Sequence, residues 1–177
     1  MPDMCFNSVV MCAASVVRAR SFETFLKGLQ PDDDIGVFGH FLPRPASADW
    51  HLWSILNWGT KWDVSDPKWE RTNLSFHLKF ETAWSPPVPF YKFLESAAGG
   101  DWIIDATFHS SAEQVVGRYA CGSQKTWKYT FQDPAWRVRL PNKLVDEAEL
   151  DREYAEWLEW KESCRKQDHV SRRLSLE

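Results

Sequence analysis

Hydrophobic and polar residues alternate strictly between positions 74 and 84. Leu74, Phe76, Leu78, Phe80, Thr82 and Trp84 occupy one set of positions, and Ser75, His77, Lys79, Glu81 and Ala83 the other. Side chains of a strand point alternately to its two faces, so the pattern predicts a strand with one face in a core and one in water. Residues Cys5 to Cys12 also alternate but are apolar on both faces, which predicts a centrally placed strand. Trp102, Ile104, Ala106 and Phe108 mark a further strand. Val115 to Ala120 and Lys125 to Phe131 predict a hairpin turning at Gly122-Ser123, and Thr60 to Val64 a short strand.

Two stretches carry the helical period instead. Phe22, Phe25, Leu26 and Leu29 recur at i, i+3, i+4 and i+7 behind Ser21, which reads as the N-cap. Phe90, Phe93, Leu94 and Ala97 follow Ser85-Pro86-Pro87 and precede Gly99-Gly100, so start and stop signals bracket a second helix. Between these, positions 43–70 form a tryptophan-rich insertion in which Trp50, Trp53 and Asn57 share a helical face that Gly59 would end. The order β-α-β-β-α-β with extra strands predicts an α+β domain of ferredoxin-like plan over residues 1–140, two helices covering one face of an antiparallel sheet. Leu150, Tyr154, Trp157 and Leu158 predict an amphipathic helix within 141–164, packed on the domain or extending from it, and 165–177 reads as a flexible tail.

Charge adds a polarity to this plan. The net charge is −4, and positions 146–162 alone carry eight acids against Arg152 and Lys161. Asp151, Glu153, Glu156 and Glu159 therefore form a candidate partner-binding acidic face. The overall charge argues against nucleic-acid binding, and so does the polar face of the 74–84 strand, which offers no aromatic stacking platform. No apolar run reaches membrane-spanning length, and the start of the chain lacks signal-peptide character, so a cytoplasmic setting is expected. Cys5, Cys12, Cys121 and Cys164 are scattered without metal-binding or disulfide spacing, and the five histidines are equally dispersed. No metal or cofactor is expected. The eleven tryptophans are the unusual feature of the composition, since each brings a large ring that is either packed or left as a sticky surface.

Three stretches are more specific than the fold pattern: Met1-Pro2-Asp3-Met4-Cys5-Phe6-Asn7, Asn57-Trp58-Gly59-Thr60-Lys61-Trp62-Asp63, and Phe80-Glu81-Thr82-Ala83-Trp84-Ser85-Pro86-Pro87. In this order and spacing the chain resembles the YubB-type ferredoxin-like family of phage, plasmid and mobile-element proteins over residues 1–110. It departs where the family usually has Trp before the Cys and this chain has Met4, and its acidic extension lies outside the family pattern. The resemblance implies a fold, an intracellular setting and a mobile-element origin, but no catalytic residues.

Trp58, Lys61, Trp62, Asp63, His77, Glu81 and Trp84 are the candidate pocket or interaction residues. On neighbouring strands they would form a tryptophan-lined hollow in which carboxylates and a lysine perturb one another. The competing reading has Trp62 and Trp84 filling the space between sheet and helices. The expected function is that of a non-catalytic mobile-element accessory protein that binds a host protein, in its sharpest form an anti-CRISPR-type inhibitor of host defence. The alternatives are a small enzyme with a tryptophan-lined polar pocket, or a single-strand binder using Trp50, Trp53 or Trp69.

Overall fold

The computed structural model describes residues 3–31 and 34–174, with side chains described as far as residue 164. The chain divides into two compact units, Met1–Lys128 and Tyr129–Glu177. The first is α+β. Its elements are β1 (Met4–Cys12), α1 (Val16–Gly28), α2 (Val37–Phe41), α3 (Trp50–Asn57), β2 (Lys68–Thr72), β3 (Ser75–Ala83), α4 (Val88–Glu95), β4 (Ile103–Ser110), β5 (Val115–Ala120) and β6 (Ser123–Lys128). One antiparallel sheet takes all six strands in the order β2-β3-β1-β4-β5-β6, so β1 lies centrally, as its two apolar faces require.

The strand alternation divides the sheet into two faces. Val9, Met11, Phe76, Leu78, Phe80, Ile104 and Ala106 are buried in one cluster with Ala19, Phe22 and Leu26 of α1 and Phe90, Tyr91 and Leu94 of α4. The opposite face carries Phe6, Ser8 and Val10 of β1, His77, Lys79 and Glu81 of β3, and their cross-strand partners. The alternation breaks at Trp84, whose backbone is left-handed at φ 68°, and its ring stands out from the core.

Several boundaries differ from the sequence expectation. Helix α1 starts at Val16, because Ser15 and not Ser21 is the N-cap, its hydroxyl accepting the Arg18 N–H at 3.3 Å. Thr60 to Val64 is not a strand. Side chains of this segment bind backbone elsewhere, and the edge strand forms later, at Lys68–Thr72. The hairpin turns at Cys121-Gly122, both left-handed (φ 49° and 71°), which fits a two-residue turn matched to the twist of the strands. The strand that follows accordingly begins earlier than expected, at Ser123, and ends at Lys128.

The second unit holds a 3-10 turn at Arg137–Arg139, α5 (Asn142–Glu147) and α6 (Leu150–Leu174). The single acidic helix expected there is interrupted at Glu149, which takes φ 52°. Helix α6 continues through residues expected as tail; residues 175–177 lie outside the described residues. Phe131, Trp136, Tyr154 and Trp157 pack their rings at centroid distances of 5.2–6.1 Å around the start of α6. No helix among the described residues is long and apolar enough to cross a membrane.

Candidate functional site

The three distinctive stretches of the sequence converge at one end of the sheet. The Asn7 amide donates to the Cys5 carbonyl and to Thr82 Oγ1, both at 2.9 Å, and the Thr82 hydroxyl donates on to the Ser85 carbonyl at 2.8 Å. The Tyr91 hydroxyl closes the network on Asn7 Oδ1 at 3.4 Å. Thr60 exchanges two bonds with the Ala83 backbone, at 3.0 and 3.2 Å, and the Ser85 hydroxyl reaches the Gly59 carbonyl at 2.7 Å. Gly59 stands at φ 83°, where an added Cβ would meet the Pro89 ring at 2.5 Å, so both conformation and space demand glycine there. Buried polar groups persist only when paired, and these stretches pair one another.

Two of the candidate residues are absorbed by this framework. Trp58 is buried and donates its indole N–H to the Leu42 carbonyl at 3.0 Å. The Asp63 carboxylate accepts four backbone N–H bonds, from Gly36 (2.9 Å), Phe38 (2.6 Å), Gly39 (2.7 Å) and Val64 (2.7 Å). It ties the loop to the start of α2. Burial pushes its carboxyl up, while the four amide donors pull it the other way.

The residues between and beside these face outward and meet. Lys61 places its ammonium 4.8 Å from the centroid of Trp62, 5.6 Å from that of Trp84 and 5.7 Å from that of Trp50. The three rings are 44%, 42% and 47% exposed, so the packing role expected for Trp62 and Trp84 does not hold. His51 joins the group, edge-on to Trp84 at 6.2 Å. Cation–π contacts of this kind contribute about 0.5–1 kcal/mol each at exposed sites and hold the ammonium within the rings. Trp84, a bulky residue in left-handed backbone, is held there by its own N–H to the Asp3 carbonyl at 2.8 Å.

His77 and Glu81 belong elsewhere, on the face of the sheet away from the helices, so the expected hollow does not assemble. There the His77 ring lies between two partners: Nε2 is 2.8 Å from Ser8 Oγ, and Nδ1 is 3.3 Å from Glu70 Oε1. A serine–imidazole–carboxylate order is the skeleton of nucleophilic catalysis. Acyl transfer also needs N–H donors converging on an oxyanion, and the N–H groups of β1 are consumed on both sides by the β3 and β4 ladders. We assign no catalysis to this trio. Among the described residues no three His, Cys, Asp or Glu side chains gather as a metal-binding set.

Of the candidate acidic face, Asp151 pairs with Arg137 at 3.1 Å, and Glu156 lies 3.6 Å from Arg152 within the helix. Glu153 is half-buried and Glu159 exposed. Comparison with family models, with curated proteins and with solved structures finds no match to the chain. Trp50 is marked by the sequence as part of the insertion and as a candidate stacking residue, but not as a neighbour of Lys61. Its N-cap Asp49, accepting the Leu52 N–H at 2.8 Å, fixes the start of α3 and with it the ring beside Lys61.

Proposed function

We propose that this chain is a non-catalytic accessory protein of a phage or related mobile element, built on the ferredoxin-like plan, which docks on a protein of the host cell. The order β2-β3-β1-β4, with α1 between β1 and β2 and α4 between β3 and β4, supports that plan. The observation that carries the functional reading is the exposed ring of Trp50, Trp62 and Trp84 around Lys61. Tryptophan is favoured at the energetic centres of interfaces, where a large rigid ring is buried at little entropic cost. A partner offering a carboxylate beside an apolar side chain suits this patch, and inhibition of a host defence protein is one form the interaction would take.

The patch, and not the acidic helix, is the expected docking surface, because Asp151 and Glu156 already face cations within their own unit. A photo-crosslinking residue at His51, exposed on α3 and edge-on to Trp84, tests the assignment. Irradiation in host lysate is expected to give a discrete adduct that the Trp62→Ala/Trp84→Ala double variant loses and the Asp151→Asn/Glu156→Gln variant keeps. An adduct that survives loss of both rings overturns the reading.

A further inference from the structure

The register of the sheet assembles something that no single strand displays. On the face away from the helices, one cross-strand row runs through all six strands: Lys68 of β2, Lys79 of β3, Ser8 of β1, Thr107 of β4, Arg118 of β5 and Lys125 of β6. Directly opposed residues of antiparallel strands share a face, so these six side chains lie on one line. At about 4.8 Å between strands the line is about 24 Å long. It contains cations and hydroxyls and no acid. Lys68 and Lys79 stand directly opposite each other, a pairing of like charges that destabilises a sheet unless an anion lies between them. Arg118 grips Asp105 of one adjacent row through two bonds of 2.8 and 2.6 Å; the other acids one row away are Glu70 of β2, beside the His77 ring, and Glu81 of β3.

The row on the other side begins at the exposed Glu81 of β3, directly opposite Phe6, and is aromatic beyond it. Phe6 of β1, about half exposed, stacks on the buried His109 of β4 with ring centroids 6.0 Å apart and planes 23° from parallel, and the row continues through the buried Val116 to Trp127. These are the two middle strands of the sheet. A line of cations beside an upward-facing ring on central strands is the arrangement that holds a sugar-phosphate backbone while an unpaired base stacks.

We propose that this face of the sheet binds single-stranded nucleic acid, its phosphates lying along the lysine row and a base stacking on Phe6. The net charge of −4 does not oppose this, because the acids concentrate at positions 146–162 and the row is local. A duplex is disfavoured as the ligand, since its bases are already stacked and leave Phe6 nothing to receive.

The test uses the full chain and a fluorescently labelled oligothymidylate, read by anisotropy. Binding is expected at low salt and to weaken with a slope of log K against log salt of about −2, the value for three lysines on a single strand. Lys79→Glu/Lys125→Glu, both on the exposed surface, is expected to abolish it, and Phe6→Ala to weaken it about tenfold with the slope unchanged. Trp62→Ala/Trp84→Ala is expected to leave it intact, which separates this site from the tryptophan patch. No binding at low salt, binding unaffected by the lysine reversals, or inorganic polyphosphate competing as well as the oligonucleotide, overturns the proposal.

Discussion

Trp58 and Trp62 stand four residues apart in one loop and do opposite things. Trp58 is sealed in the core with its N–H bonded, while Trp62 lies over an ammonium in water. The same split runs through all three distinctive stretches. Cys5 and Asn7 turn in and Phe6 out; Trp58, Thr60 and Asp63 are tied into the framework and Lys61 and Trp62 face out; Thr82 and Ala83 turn in and Trp84 out. The inward set is a network of mutual bonds, and its chemistry is spent on holding the stretches together. The outward set has unspent surface: three rings, a cation, and a phenyl on the open sheet. Function is therefore sought in the outward set, and stability in the inward one.

The largest expected effects separate the two sets within the loop. Trp58→Ala empties a core site and is expected to cost about 3–5 kcal/mol in urea denaturation, whereas Trp62→Ala should change stability by less than about 0.5 kcal/mol. Asp63→Ala strands four buried amides and is expected to cost about 2–3 kcal/mol, with Asp63→Asn recovering part because one acceptor oxygen remains. If Trp62→Ala proves as damaging as Trp58→Ala, the division fails and the patch is scaffold.

Sequence pattern carried the strands and the main helices well, because burial imposes a period that residues cannot avoid showing. The 74–84 alternation places Phe76, Leu78 and Phe80 in the core as the pattern requires. It could not foresee that Trp84 leaves the face its position assigns, since a left-handed residue is set by the tertiary bond from its N–H to Asp3. Asp63 reads in sequence as a potential acid–base group, and only the fold reveals four amides waiting for it. The lysine row is the clearest case of information absent from any one segment. Lys68, Lys79, Arg118 and Lys125 are unremarkable along the chain and become a line only through the pairing register. The polar face of β3, read alone, argues against a stacking surface, while the exposed Phe6 ring stands next door on β1.

A smaller effect tests the inward set at its first member. Burial pushes the Cys5 thiol up to about 12. In the unfolded chain the thiol ionises from about pH 9, so above that pH the folded state holds a proton the unfolded state has lost. The resulting stability is full below pH 9 and falls as pH rises toward 12, by up to about 1.4 kcal/mol per pH unit. The stability difference between the native chain and Cys5→Ala is therefore expected to shrink between pH 9 and pH 10. Titrating groups that do not feel the Cys5 charge cancel in that difference; Tyr91, which does, is the exception. A difference that stays flat would place Cys5 in contact with water and remove it from the inward set.

A small stability effect at Trp84 bears most directly on function. Left-handed backbone costs an ordinary side chain about 1–2 kcal/mol and glycine almost nothing, and the Trp84 ring, being 42% exposed, returns only part of that through packing. Trp84→Gly relieves the strain and widens the unfolded ensemble, two terms of similar size, so folding stability is expected to move by less than about 1 kcal/mol. Trp84→Val, β-branched at the same φ, should be less stable than Trp84→Gly despite its larger apolar side chain. If thermal unfolding bears this out while Trp84→Gly loses the crosslinked partner, the chain keeps a strained tryptophan for what it presents and not for what it packs. If Trp84→Gly instead destabilises as severely as Trp58→Ala, Trp84 belongs with the framework, and the ring around Lys61 loses the member that makes it a surface for binding.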